Sequence, residues 1–274
     1  MISHTIASKF IKLYPFDHSR NATIIGLAAG FDKNCDLISH IHKLGFAFIE
    51  VGSLTPKEHK GNKNQRIIKY GSSMINNLGL PNVGIDKALP KLQKAKPRIP
   101  IYVNIAALPY NTIQDMQNFI YKIEQYCSGI VINASCPNVE HCLQITDLIK
   151  VKSTKPLFIK LDPNLRDISI KEIVSEAINN NIKGYVLTNT LSMPDGGLSG
   201  NGLKDYSNRT IKTVNALKSE DQIIIGCGGI KTVDDVIEKV NLGSRYVEVL
   251  TSWILSMNPL YIDKLNKKYR KTIL

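Results

Sequence analysis

The chain has no apolar run near the roughly 18 residues that a helix needs to cross a bilayer. That sets aside a helical integral membrane protein. The N-terminus lacks the charge, apolar block and small-residue cleavage site of a secretory signal. There is no CxxC and no HExxH, and the five cysteines (Cys35, Cys127, Cys136, Cys142 and Cys227) are an odd number. Neither a disulfide framework nor a zinc ribbon is indicated, no metal site is expected, and a reducing cytoplasm fits best. Aromatics are scarce, at 7% with one tryptophan, and neither a fibrous repeat nor a low-complexity linker is present. Acidic side chains are also short in number. The 23 Asp and Glu leave a net charge of +12 against 35 Lys and Arg. The excess favours an anionic partner such as a phosphorylated cofactor, an acidic substrate, nucleic acid or an anionic membrane. A lysine-rich, soluble surface with no partner is the preferred account of the excess.

What is present is an alternation. Eight short apolar runs read as strands: 23–29, 46–51, 101–105, 129–134, 157–161, 184–188, 222–226 and 246–250. Helical patterns follow them at 36–44, 85–94, 113–126, 141–151, 168–179, 207–218, 233–241 and 259–268. A polar excursion from Lys57 to about Asn82 interrupts the order. Near-continuous apolar strands alternating with helices indicate a parallel sheet covered by helices. Eight units predict a single-domain α/β fold, a closed (β/α)8 TIM barrel over 23–274 with a short N-terminal segment at 1–22. A doubly wound sheet would carry a GxGxxG turn after the first strand, and Ala28-Ala29-Gly30-Phe31-Asp32-Lys33 is not one. In the N-terminal segment, Ile6, Phe10, Ile11 and Leu13 stand among Lys9 and Lys12 and predict a short amphipathic turn. Packing on the barrel is the favoured reading over lying on lipid.

A barrel presents the C-terminal ends of its strands on one face, where active sites lie. In chain order that face offers Ala29, Gly30 and Lys33, then Ser53, Asn104, Asn133, Cys136 and Asn138. Lys160, Thr188, Asn189, Thr190, Gly226 to Gly229, Thr251 and Ser252 complete it. Lys160 lies inside an apolar strand, and a buried ammonium without a partner is costly. It is expected to meet an anion or a carbonyl-rich ligand. Gly228-Gly229, ahead of a helix, suits a phosphate. Cys127 and Cys227 read as small core residues.

These residues carry a resemblance. Gly26 to Lys33 resembles the first-strand motif of dihydroorotate dehydrogenases. Glu50 to Pro56, Ile75 to Gly79, Asn133 to Asn138, the Lys160 strand, Thr188 to Thr190, Gly196 to Gly200 and Gly226 to Gly229 follow in the same order. The resemblance covers about 23–265. It implies an FMN flavoprotein that oxidises dihydroorotate to orotate in pyrimidine biosynthesis. It places the FMN phosphate on Gly200, Gly228, Gly229 and Thr251, and Lys160 against negative charge on the reduced ring. Ala29, Gly30, Ser53, Asn104, Asn133 and Thr188 would line the ring or ribityl chain. Substrate would be held by Lys33, Asn76, Gly79, Asn133, Asn138, Asn189 and Thr190. Cys136 would be the base that removes the C5 proton while hydride leaves C6 for flavin N5.

The chain departs from the family pattern in several places. Its early motifs resemble the membrane-associated, quinone-using class, whereas Cys136 is the base of the soluble class. Ala106 and Ala107 stand where Gly-Lys is usual, Leu80 where an aromatic is usual, and Val139 to Cys142 replace the usual lid. Quinone and fumarate are both open as electron acceptors. NAD use would need a separate partner. No nucleic acid is expected, a homodimer is allowed for, and the location is cytoplasmic or peripheral to a membrane. Two alternatives stand beside this reading. One is an FMN barrel acting on another pyrimidine, including a tRNA dihydrouridine synthase-like enzyme, motivated by the charge. The other is a non-catalytic flavin-binding descendant.

Overall fold

A computed structural model describes residues 4–64, 66–134 and 143–273. Its organising pattern is the two-residue period of the strands. In Leu157–Leu161 every residue is buried, but on two different sides. Leu157, Ile159 and Leu161 face the helices, while Phe158 joins a separate cluster with Phe48, Val131, Val186 and Ile225. Alternation of this kind fills the inside and coats the outside of a barrel with one strand.

The strands in chain order are β1 (Ile25–Leu27), β2 (Ile49–Leu54), β3 (Arg66–Tyr70), β4 (Ser73–Asn77), β5 (Ile101–Ile105) and β6 (Gly129–Asn133), then β7 (Leu157–Leu161), β8 (Gly184–Leu187), β9 (Leu191–Met193), β10 (Gly196–Gly200), β11 (Ile223–Cys227) and β12 (Tyr246–Val249). Eight of them close a parallel barrel in the order β1-β12-β11-β8-β7-β6-β5-β2. The expected α/β barrel is therefore present, with all eight expected strands in it. The helices are α1 (His4–Leu13), α2 (Gly84–Lys94), α3 (Ile113–Ile123), α4 (Ile145–Leu148), α5 (Asp167–Asn179), α6 (Lys204–Leu217), α7 (Val233–Asn241), α8 (Thr251–Ser256) and α9 (Tyr261–Ile273). Thr112 and Asp115 form a capping box on α3, as Thr232 and Asp235 do on α7, which satisfies orphan amides at both starts.

Two of the expected helices need correction. Residues 36–44 do not form an α-helix. The Asp32 carboxylate takes the amides of Asp36 and Leu37, each at 2.8 Å, and only a 3-10 turn at Ile41–Leu44 survives. The side-chain acceptor competes with the helical backbone pattern. Of the helix expected at 141–151, residues 143–151 form only α4, and residues 141 and 142 lie outside the described residues. The polar excursion holds a hairpin, β3–β4, which pairs through β4 with β10 and so with β9. That antiparallel sheet stands at the mouth of the barrel, where Ile67, Met74 and Asn76 line the cleft described below.

The N-terminal segment is a helix rather than a turn. Ile11 of α1 is buried in the main core, whereas Phe10 and Leu13 are 49% and 80% exposed. One edge of α1 therefore packs on the barrel, as expected.

Inside the barrel, Phe158 and Tyr102 meet edge to face at 5.5 Å. Phe158→Ala is expected to cost about 3–5 kcal/mol, because the closed barrel cannot collapse onto the void. The denaturant midpoint measures it.

Candidate active site

The same strand parity builds the site. Moving up each barrel strand by two from the aromatic layer leads from Phe48 to Glu50, Tyr102 to Asn104, Val131 to Asn133 and Phe158 to Lys160. It also leads from Val186 to Thr188, Ile225 to Cys227 and Tyr246 to Glu248. The upper inward layer is thus polar almost all round, and it floors the mouth.

Lys160 is 4% exposed, and its Nζ lies 2.8 Å from Glu50 Oε2 and 3.5 Å from Glu248 Oε2. The anion expected for Lys160 is thus supplied within the protein by Glu50, with the Glu248 carboxyl group beside it. Burial alone would push Lys160 down, but Glu50 and then Glu248 more than offset it and hold the ammonium above its ordinary range. Burial would likewise push Glu50 up; Lys160, with hydrogen bonds from its neighbours, holds it below the usual carboxylate value. Asn104 donates to Glu50 Oε1 at 2.5 Å. Cys227, read from the sequence as a core residue, belongs to this floor. Its thiol is pushed up to about 12, with burial the leading cause.

Above the floor runs a chain of carboxamides and hydroxyls. Asn189 donates to Asn133 Oδ1 at 3.2 Å, and Asn133 donates to Ser53 Oγ at 3.0 Å. Asn189 Oδ1 accepts from the Thr190 amide at 2.9 Å. Asn76 is turned toward Gly197 O at 3.1 Å. The cleft has two connected lobes that share Ala29, Lys160, Asn189, Thr190, Ser199 and Leu250. One lobe is lined by Thr188, Gly200, Gly228, Gly229 and Thr251. The other is lined by Gly30, Lys33, Ser53, Asn76, Gly79, Asn104 and Asn133. Gly228 and Gly229 have φ of +109° and +78°, and a Cβ on them would meet Leu203 at 2.7 Å and Lys204 at 2.5 Å. Only glycine makes that turn. Thr251 donates to Ser199 Oγ at 2.8 Å, which ties the start of α8 to the mouth sheet.

Comparison with known proteins shows the family. The family model "Dihydroorotate dehydrogenase" matches residues 16–273. The chain belongs to the dihydroorotate dehydrogenase family. A protein of Christiangramia forsetii named dihydroorotate dehydrogenase (quinone) is 30% identical over 273 residues, covering 89% of this chain and 80% of its own. One of the same name from Burkholderia thailandensis is 32% identical, covering 84% and 77%. The Eimeria tenella enzyme in complex with ferulenol superposes with a TM-score of 0.87 at 26% identity, over 98% of this chain and 90% of that one. Its ligand-free form gives 0.88 at 25% identity. The family is flavin-dependent, and its activity is the oxidation of dihydroorotate in pyrimidine biosynthesis.

Of the residues that the resemblance assigns to substrate, cofactor or catalysis, all but Cys136 and Asn138 line this one cleft, whereas Gly226 of the strand-end face does not. Cys136 and Asn138 lie outside the described residues. Glu50 and Glu248 were not singled out for chemistry from the sequence. The signal for them was available: each stands two residues after an aromatic in a buried strand, as Lys160 does after Phe158.

The cleft's own residues suit a planar, polar, phosphorylated ligand such as a flavin. A tight glycine turn lies at one end, carboxamides run along the wall and a buried cation lies beneath. Among the described residues no helix is long and apolar enough to cross a membrane.

The Lys160–Glu50 pair contributes stability between the unfolded Glu value of about 4.3 and the unfolded Lys value of about 10.4. Below that window the contribution is lost as pH falls through the lowered Glu50 value; above it, as pH rises through the raised Lys160 value. Lys160→Ala should cost about 3–5 kcal/mol near neutrality by stranding a buried carboxylate. Urea midpoints should show that loss shrink as acid protonates Glu50.

Proposed function

We propose that the chain oxidises dihydroorotate to orotate with FMN held across the barrel mouth and passes the electrons to a quinone. The observation that carries this is the convergence of the glycine turn, the carboxamide wall and Lys160 on one cleft. When bound, FMN supplies the hydride acceptor for C6 of the substrate.

In this reading Gly200, Gly228, Gly229 and Thr251 hold the phosphate, with Thr188 beside the ribityl chain. Ala29, Gly30, Ser53 and Asn104 line the ring. Lys160, anchored by Glu50, presents positive charge where electron density grows on the ring. Lys33 pairs with the substrate carboxylate, and Asn76, Gly79, Asn133, Asn138, Asn189 and Thr190 orient the pyrimidine. Cys136 removes the C5 proton. A thiol of ordinary pKa, about 8.5, is the stronger base once ionised, so turnover should rise with pH through that range. Cys136→Ala should lose most turnover while still binding FMN; full activity would remove Cys136 from the reaction.

Quinone is favoured over fumarate by a second feature. An apolar groove of about 430 Å³ runs beside the cleft, lined by Ile6, Phe10 and Ile11 of α1, Phe31, and Trp253 and Ile254 of α8. That size lies within the range of small-molecule sites. Ile254 lines the cleft and the groove alike, so the two meet. The names of the relatives point the same way. Exposed Ile6, Phe10 and Leu13 with Lys9 and Lys12 also suit peripheral contact with a bilayer that holds the quinone.

The deciding experiment adds dihydroorotate to the FMN-loaded protein without oxygen. Bleaching of the flavin is expected, followed by recovery on adding a quinone and little recovery with fumarate. A yellow protein that dihydroorotate leaves unbleached would overturn the reading. Phe10→Asp should raise the KM for quinone roughly tenfold, equivalent to about 1.4 kcal/mol, and leave anaerobic bleaching intact.

A further inference from the structure

Two carboxyl groups and one ammonium share the floor of the cleft, on three different strands. Glu50 is 0% exposed, Glu248 2% and Lys160 4%. One ammonium balances one carboxylate. Glu50 is the better partnered of the two, with Lys160 Nζ at 2.8 Å, Asn104 Nδ2 at 2.5 Å and the Ala29 amide at 3.5 Å. Glu248 is 3.5 Å from Lys160 Nζ, and its buried Oε2 has no hydrogen-bond partner. It lines the cleft beside Lys160 and Cys227.

Two carboxylates in contact in a water-poor layer cannot both ionise cheaply. The buried Lys239 ammonium acts on the neighbouring Cys227 but is turned to Ser207 Oγ and Asn208 Oδ1, each at 2.8 Å, so it is spent there. Cys227 stands beside Glu248 in the ladder of β11 and β12, and Tyr102 faces it from β5. Burial keeps both of these neutral by raising their pKa. Gly26, the ladder partner of Glu248 on β1, and Thr188 after β8, which lines the same lobe, carry no charge. Burial first, and Glu50 second, drive Glu248 well above the usual carboxylate range.

We propose that Glu248 is held as a neutral carboxylic acid on the floor of the flavin site, and that its proton sets the charge beneath the bound ring. The second half rests on the flavin reading above. Glu248 is a positioning residue: it neither accepts the hydride nor takes the substrate proton. Its proton gives the carboxyl pair the donor it lacks, directed at Glu50 or at a ring acceptor above. As pH rises the proton leaves to solvent and one negative charge appears under the site. That charge opposes the entry of electrons into the ring.

Infrared spectroscopy of the wild-type protein at neutral pH should show the carbonyl stretch of a buried protonated carboxyl group. The band should vanish in Glu248→Gln, and its absence from the wild type would overturn the proposal. Glu50→Gln provides a second variant. Lys160 then has only Glu248 to pair with, so Glu248 ionises and the band is lost although the residue remains. A band that persists there would also overturn it. In the FMN-loaded protein, the midpoint potential of the wild type should fall more steeply with alkaline pH than that of Glu248→Gln. Parallel profiles would sink the role beneath the ring. A colourless preparation that still shows the band would sink the flavin reading and leave the neutral acid in place.

Discussion

The contact between Lys160 and Glu50 is the constraint on which the mouth of this barrel depends. The two residues lie 110 positions apart in sequence, and their buried heads meet at 2.8 Å. Such a pair gives little net stability over an apolar substitute, because desolvation consumes most of the attraction. Its worth lies elsewhere. Once the barrel closes, neither partner can leave without stranding the other. The pair therefore fixes a cation at the base of the cleft, and the carboxamides above it inherit a fixed electrostatic floor.

The layering explains how one strand pattern serves both stability and chemistry. The inward residues of the middle layer are Phe48, Tyr102, Phe158 and Tyr246 with aliphatic neighbours, and their rings pack edge to face at 5.5–5.9 Å. These rings plug the barrel. The next inward layer is Glu50, Asn104, Asn133, Lys160, Thr188, Cys227 and Glu248. Each polar head thus stands on an aromatic or aliphatic residue that water cannot reach. A substitution in the plug acts on the site by moving its floor.

The barrel was legible in the sequence because burial on both sides leaves an apolar run that no surface strand shows. Ile101–Ile105, Leu157–Leu161 and Val233–Asn241 fall where their patterns place them. The mouth sheet was not legible. β3 and β4 carry Arg, Lys, Ser and Asn among their apolar residues. The partner of β4 is β10, with Ile75 opposite Leu198, and a contact of that separation leaves no local mark. Residues 36–44 failed for the opposite reason. Their local pattern is helical, but the buried Asp32 side chain captures two of the amides that a helix would use. The lining of the cleft was readable because the ends of barrel strands converge by geometry. The charges beneath it were not, because a glutamate in a strand looks solvent-facing until parity with Phe48 or Tyr246 is followed.

Parity also bears on how two unlike small molecules would use one cofactor. The cleft has a polar wall, made by Asn76, Asn133 and Asn189, and an apolar side where Leu250 and Ile254 enter. Asn133 reaches the cleft from the inside of β6, whereas Ile254 reaches it from α8, outside the barrel. A planar polar substrate gains hydrogen bonds only on the first side, and a hydrocarbon-rich acceptor gains burial only on the second. In the proposed reaction each therefore has its own approach, and neither must leave for the other to arrive. The apolar approach is walled by α1, whose Ile11 anchors it to the core while Phe10 lines the groove. The N-terminal helix thus takes no part in closing the barrel, yet it supplies one wall of the apolar groove that meets the cleft.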